Sequence, residues 1–183
     1  SELTQFDYFF RNAYKINDID DPDPLEWRII SDSIVGFRAP LLENNKSMYK
    51  ALKDMGYMYD TSSVLALNSK YQYHYNDIII FPLNSLSTDL GKTISMDYNF
   101  FMLDRGRETG AGVRMLNEYR RYISQAVMEG NAPVHIGHHF ARWNKGEYWW
   151  ALKEFIREHC RDEFASCVSF SERIKLEASH FFN

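Results

Sequence analysis

Short apolar runs of strand character alternate with amphipathic helical segments along most of the chain. That alternation restricts its fold more than any other feature. Residues 33–38 (SIVGFR) read as a buried strand. Lys46–Met55 reads as a helix with Met48, Ala51, Leu52 and Met55 on one face and Gly56 as its stop. Tyr57–Asp60, Asp77–Leu83 (DIIIFPL) and Thr93–Tyr98 read as strands. Gly112–Glu129 predicts a long helix presenting Val113, Leu116, Ile123 and Val127. Pro133–His138 predicts a strand, and Glu147–Cys160 a helix with Trp149, Leu152, Ile156 and Cys160 on one face. Ser166–Ser169 predicts a short strand, after which Ser169 and Glu172 fit a capping box that opens a last helix. At the other end Leu3, Phe6, Phe9 and Phe10 share a helical face. Strands alternating with helices predict an α/β fold with a parallel sheet or barrel. Chemistry in such folds collects at the C-terminal ends of strands.

The chain has 183 residues, 45% of them apolar and 16% aromatic, which suits one domain with a packed core. A net charge of -4 argues against a nucleic-acid partner, which asks for a basic face. No run of about 18 apolar residues is present, so no membrane span is expected. No apolar leader follows a charged start, so no signal peptide is visible. The sequence opens at Ser1 inside a helical pattern, and the expectation is that residues upstream complete it. Asp20, Asp21 and Asp23 in IDDPDP read as a solvated turn. Cys160 and Cys167 flank a short polar segment; a local disulfide and two buried thiols both fit.

Three predicted strand ends carry unusual polar residues. In GFRAP, alternation puts Ile34, Gly36 and Arg38 on one side, and Arg38 emerges where a proline stops the ladder. It serves either a structural ion pair or the orientation of a catalytic carboxylate. In VHIGHHF, alternation turns His138 inward at the strand tip, where an imidazole can act as a general acid or remain a satisfied core histidine. His135 and His139 share the opposite face, which leaves a rival metalloenzyme reading. Asp97, in SMDYNFF, either orients His138 or caps a loop; Asp60, in YDTSS, is a similar case with a strong turn signal. Trp143 and Phe140 come after the histidines. An indole there either stacks on a sugar ring or anchors the loop by packing. No phosphate-binding glycine loop and no GxSxG elbow occurs, which removes the common nucleotide and serine-esterase readings.

Taken together, GFRAPLL, KSMYKALKDMGYMYDTSSV, DIIIFPL, APVHIGHHFARWNKGEYWWALKEFI and EHCRDEFASCVSF resemble the polysaccharide deacetylase family, and within it the chitin-oligosaccharide deacetylases. The likeness runs from about Phe6 to about Phe170. It implies that the whole chain is the C-terminal part of one distorted (β/α) barrel, incomplete here. It implies hydrolysis of N-acetyl groups on a chitin-like or other N-acetylated glycan, with release of acetate. By resemblance, Arg38 orients a base carboxylate, His138 protonates the leaving amine, and Asp97 or Asp60 holds His138. Trp143 and Phe140 would contact the glycan, and the cysteine pair would close a small loop. The family binds a divalent cation, often zinc, through an Asp and two His of motifs that do not precede Arg38 here. Those ligands are therefore expected upstream of Ser1, with none in this chain. A secreted, periplasmic or cell-surface location follows from the resemblance. The alternative is a non-catalytic glycan-binding relative with the same fold.

Overall fold

The structure, a computed structural model, describes residues 2–20, 24–67, 69, 74–129, 133–160 and 165–181. Among the described residues eight helices run in chain order: α1 (Glu2–Arg11), α2 (Ala13–Ile16), α3 (Pro24–Asp32), α4 (Lys46–Asp54), α5 (Asp97–Leu103), α6 (Ala111–Met128), α7 (Glu147–His159) and α8 (Phe170–Phe181). The strands are β1 (Gly36–Phe37), β2 (Tyr59–Asp60), β3 (Val64–Leu65), β4 (His74–Tyr75), β5 (Ile78–Ile80), β6 (Leu83–Thr88) and β7 (Gly91–Ile94). The class is α/β, as the alternation predicts. Among the described residues the strands form two small sheets and no closed barrel. The chain groups into two compact units, Ser1–Ser63 with Gln72–Phe81, and Val64–Tyr71 with Pro82–Asn183.

The first unit carries a sheet in the order β1-β2-β5-β4. β1, β2 and β5 are parallel, and β4 closes antiparallel on β5. The β4–β5 turn places Asn76 and Asp77 at φ 50° and 64°. Both tolerate that left-handed conformation, and it matches a two-residue hairpin turn to the strand twist. Asn45 caps α4 by accepting the N–H of Met48 at 2.9 Å. The helix then lays Tyr49 and Leu52 on Ile78 and Ile80 as a buried cluster, with Phe37, Met48 and Tyr57 packed around it. The predicted strand at 33–38 contracts to the two residues of β1.

The second unit holds the sheet β3-β6-β7, in which β3 runs parallel to β6 and β6–β7 is a hairpin. Its core is built by α5, α6 and α7 around Leu86, Phe100, Met115, Leu116, Tyr119, Tyr122, Tyr148 and Phe155. The two long helices are turned somewhat from expectation. α6 buries Ala111, Met115, Leu116, Tyr119, Tyr122 and Ala126, with Ile123 packed against that core, while Val113 and Val127 are exposed. α7 buries Tyr148, Ala151 and Phe155 in place of Ile156, which is exposed. The cause is satisfied polarity: buried tyrosines give large apolar area once their hydroxyls are bonded. Tyr148 donates to the buried Asp104 at 3.0 Å, and Arg114 donates to the same carboxylate at 2.7 Å. Gly112 permits the close helix contact, since a Cβ there would lie 2.5 Å from the Glu147 carbonyl oxygen.

The strand expected at Thr93–Tyr98 ends at Ile94, and Asp97 opens α5. Among the described residues, 133–138 form no ladder and are paired through one parallel bridge, Gly137 with Met96. Ser166–Ser169 forms no ladder. The capping box is present: Ser169 N donates to Glu172 at 2.7 Å and Glu172 N to Ser169 Oγ at 3.2 Å. Of the acidic turn, Asp21 and Asp23 lie outside the described residues. Cys160, at the end of α7, is disulfide-bonded to Cys167. Closing so short a loop constrains mainly the unfolded chain, so replacing both cysteines by serine is expected to lower unfolding free energy by on the order of 2–3 kcal/mol. Urea titration of the oxidised protein and the double variant measures it.

Candidate active site

Main-chain bonds bring two distant segments of the second unit together. Ser95 is fully buried. Its Oγ donates to the His135 carbonyl at 2.7 Å and accepts the Asn84 N–H at 2.9 Å. Gly137 N donates to Ser95 O at 2.8 Å, and Asp97 N donates to Gly137 O at 3.1 Å. This is the bridge between Met96 and Gly137. A Cβ on residue 137 would come within 3.0 Å of the Met96 side chain, so glycine lets the segments close. As a result, the first residue of α5 meets the two histidines just past the bridge.

Asp97 is 1% exposed. A carboxylate removed from water must receive hydrogen bonds. Oδ1 accepts the Tyr98 N–H at 2.7 Å and Oδ2 the His139 N–H at 2.9 Å. Oδ1 also lies 2.7 Å from His139 Nδ1. A carboxylate only accepts, so the imidazole proton there sits on Nδ1 and Nε2 is the ring's other exchangeable nitrogen. The His139 side chain is 49% exposed.

His138 differs from its neighbour. Its side chain is 7% exposed, and Nδ1 lies 3.8 Å from Asp97 Oδ2, outside hydrogen-bond range. Nε2 meets the Tyr119 hydroxyl at 3.2 Å. Burial lowers its pKa to about 4; Asp97 offsets part of the shift and the charge of His139 adds to it. His138 is therefore neutral near pH 7 and faces the core. Alternation turns it inward, and inward here means against Tyr119 and Trp149. The solvent-facing imidazole held by a carboxylate is His139.

The aromatic residues divide likewise. Trp143 opens a short 3-10 turn and is half-buried, stacked on Phe101 at 5.4 Å with contacts to Tyr98 and His139. Packing thus accounts for most of its ring. Phe140 is fully exposed and lies 5.9 Å from the Trp149 ring.

Arg38 belongs to the first unit, apart in the grouping from Asp97, His138, Phe140 and Trp143. It is exposed just past β1, and its Nε donates to Thr61 Oγ1 at 2.9 Å. Partial desolvation lowers its pKa and the charge of Asp60 opposes this. Asp60 is fully buried. Its Oδ2 accepts Ser62 N at 3.1 Å and the Tyr49 hydroxyl at 3.2 Å, and Ser62 Oγ donates to Oδ1. Burial raises its pKa against those bonds and the charge of Arg38. This is the turn expected from YDTSS, closed by Asp60 itself. A cleft of about 150 Å³ in the same unit is lined by Asp7, Arg11 and Asp32, and Arg11 engages both carboxylates.

Among the described residues no group of three or more His, Cys, Asp or Glu is placed to hold a metal ion. His135 packs edge-on against Phe170 at 5.2 Å, while His139 turns to Asp97. Among the described residues, His135 and His139 therefore do not share a cation.

No family model and no curated protein matches the chain. A solved structure shares its fold. It is the crystal structure of a "putative polysaccharide deacetylase" from Mycobacterium smegmatis, matched at TM-score 0.55 and 21% identity over 86% of this chain. The match covers 54% of the other protein, so this chain spans about half its length. At that identity the likeness speaks for the fold alone.

Two residues of the cluster escape a reading by alternation. A regular strand over Pro133–His138 would send His139 to a covered face, but the segment is irregular past its single bridge. Tyr119 gives no apolar signal of its own, although its spacing from Met115 and Ile123 marks a core position with a polar end. The burial of His138 has a measurable consequence. In the unfolded chain its pKa returns to about 6.5, so as pH falls from about 6.5 towards 4 only the unfolded state gains this proton. Stability present above that window is lost through it, by roughly 2–3 kcal/mol at pH 4.5. Urea unfolding at pH 7 and 4.5 should show this loss in the wild type and a smaller one in His138→Gln.

Proposed function

We propose that the chain is part of a polysaccharide deacetylase that hydrolyses N-acetyl groups on a chitin-like or other N-acetylated glycan. The observation that carries the reading is the buried Asp97 carboxylate fixing a solvent-facing imidazole, His139. The shared fold supports it. Amide hydrolysis adds water to the carbonyl carbon, breaks the C–N bond and delivers a proton to the departing nitrogen. Protonated His139 supplies that proton from Nε2, while Asp97 holds Nδ1–H and stabilises the imidazolium that must form. Alternation, with the resemblance, gives this role to His138. The burial of His138 and its bond to Tyr119 favour assigning it to His139.

The finer assignments belong to the same proposal. Arg38 orients a base carboxylate. Phe140, with the Trp149 ring beside it, offers an apolar face on which a sugar ring can stack, and Trp143 supports that rim from beneath His139. A divalent cation, zinc by resemblance, is held by residues outside these 183. The whole chain belongs to one incomplete distorted barrel, and the protein works outside the cytoplasm, where the Cys160–Cys167 bond persists. No helix of the described residues is long and apolar enough to cross a membrane.

A second reading, a glycan-binding relative without catalysis, draws on the full exposure of Phe140. Acetate release from N-acetylated chitin oligomers separates the two. In the intact protein, His139→Ala should lower release by roughly 10²- to 10⁴-fold at unchanged metal content. Release that survives this change but fails in His138→Gln would return the proton to His138. Retention of oligomers by a wild type that frees no acetate would leave the binding reading.

A further inference from the structure

We infer that Tyr119 and His138 form a buried positioning arm that aims the Asp97 carboxylate at His139. The inference rests on the proposed proton-transfer role of His139 and assigns the residues that hold its partner in place.

Tyr119 is fully buried in the middle of α6. Burial raises its pKa well above 10, with Asp97 adding to the rise, so its hydroxyl keeps its proton. A buried hydroxyl requires an acceptor. His138 Nε2, at 3.2 Å, is in place to be that acceptor. With Nε2 receiving a proton, the neutral ring carries its own hydrogen on Nδ1.

Nδ1 is buried with no hydrogen-bond partner among the described residues, and Asp97 Oδ2 lies 3.8 Å away. An N–H dipole directed at a carboxylate from that distance stabilises its charge without occupying the oxygen. The other tautomer would set a lone pair against the carboxylate and reverse the sign. Tyr119 therefore selects the tautomer of His138, which places an N–H rather than a lone pair beside Asp97. Both carboxylate oxygens remain on His139, Oδ2 on its main-chain N–H and Oδ1 on its ring. The titratable groups facing His138 across these contacts are Asp97, His139 and Tyr119, and Trp149 covers the ring from α7.

Long-range 1H–15N correlation spectra of the full chain, labelled on histidine, test the arm without substrate. His138→Gln and His139→Gln assign the signals. The expected wild-type pattern at pH 7 is a single Nδ1–H tautomer for His138, with a proton held on Nδ1 of His139. Tyr119→Phe keeps the ring and removes the hydroxyl. His138 should then populate both tautomers and the Nδ1–H share of His139 should fall. In kinetics the same variant should lower kcat about three- to tenfold, the scale of one lost hydrogen bond, with KM unchanged. An Nε2–H tautomer for His138 in the wild type would overturn the inference, whether or not the variant folds. So would a folded Tyr119→Phe protein with both patterns unchanged. Expected spectra from a protein that releases no acetate would instead sink the deacetylase reading and leave the arm standing.

Discussion

The pairing of Met96 with Gly137 is small, one isolated parallel bridge, yet the site depends on it. Residues 95–97 and 135–139 are about forty positions apart in sequence, and no ladder extends the contact. Three bonds hold it: Gly137 N to Ser95 O, Asp97 N to Gly137 O, and Ser95 Oγ to His135 O. With Ser95 buried, water does not compete for them, and leaving any one unmade would strand a polar group in the core. The bridge also fixes the residues on either side of it. On one side the chain turns into α5 and delivers a carboxylate; on the other it delivers two imidazoles in succession. A site anchored in main-chain bonds tolerates sequence change around it, except where space is short, as at Gly137.

Much of the architecture can be read from residue order because local signals agree with it. Asn45 opening α4, Gly56 after it, and Ser169 with Glu172 opening α8 are each set by groups within three or four residues. Helix faces are harder to read. Hydrophobic spacing rightly selects Leu116 and Ile123, but also Val113, Val127 and Ile156, which are exposed, and it passes over the core tyrosines whose hydroxyls reach Asp104 and His138. Spacing counts apolar carbon and has no knowledge of a distant acceptor. The same blindness governs the site. Asp97 and His138 can be named from their surroundings in sequence, but the contact between Asp97 and His139 is forty-two residues long and depends on an irregular segment. Strand periodicity gives no guide where a strand consists of one bridge.

Two buried carboxylates show how surroundings separate structure from chemistry. Asp60 is closed in by hydroxyls and its own turn, so its oxygens are spent within residues 49–62. It locks the end of β2 to the segment after β1, where Ser62 Oγ accepts the Ala39 N–H at 2.8 Å. Asp97 is as deeply buried, but one of its partners is an imidazole with a face to solvent. A carboxylate satisfied by fixed donors is a fastener; one satisfied by a titratable ring passes its influence outward.

His138 and His139 share that carboxylate, and their unequal burial decides which of them it serves. Were both rings charged, a single carboxylate would face two cations, one of them enclosed at 7% exposure without a hydrogen bond on Nδ1. Enclosing a cation on those terms costs more than the attraction at 3.8 Å returns. Burial therefore keeps His138 neutral, and the negative charge of Asp97 remains uncommitted on that side. His139 is bonded to the same carboxylate at 2.7 Å and lies half in water. The two histidines thus differ in surroundings, one ring enclosed and the other open to solvent, an asymmetry set by which way each ring turns from the segment past the bridge.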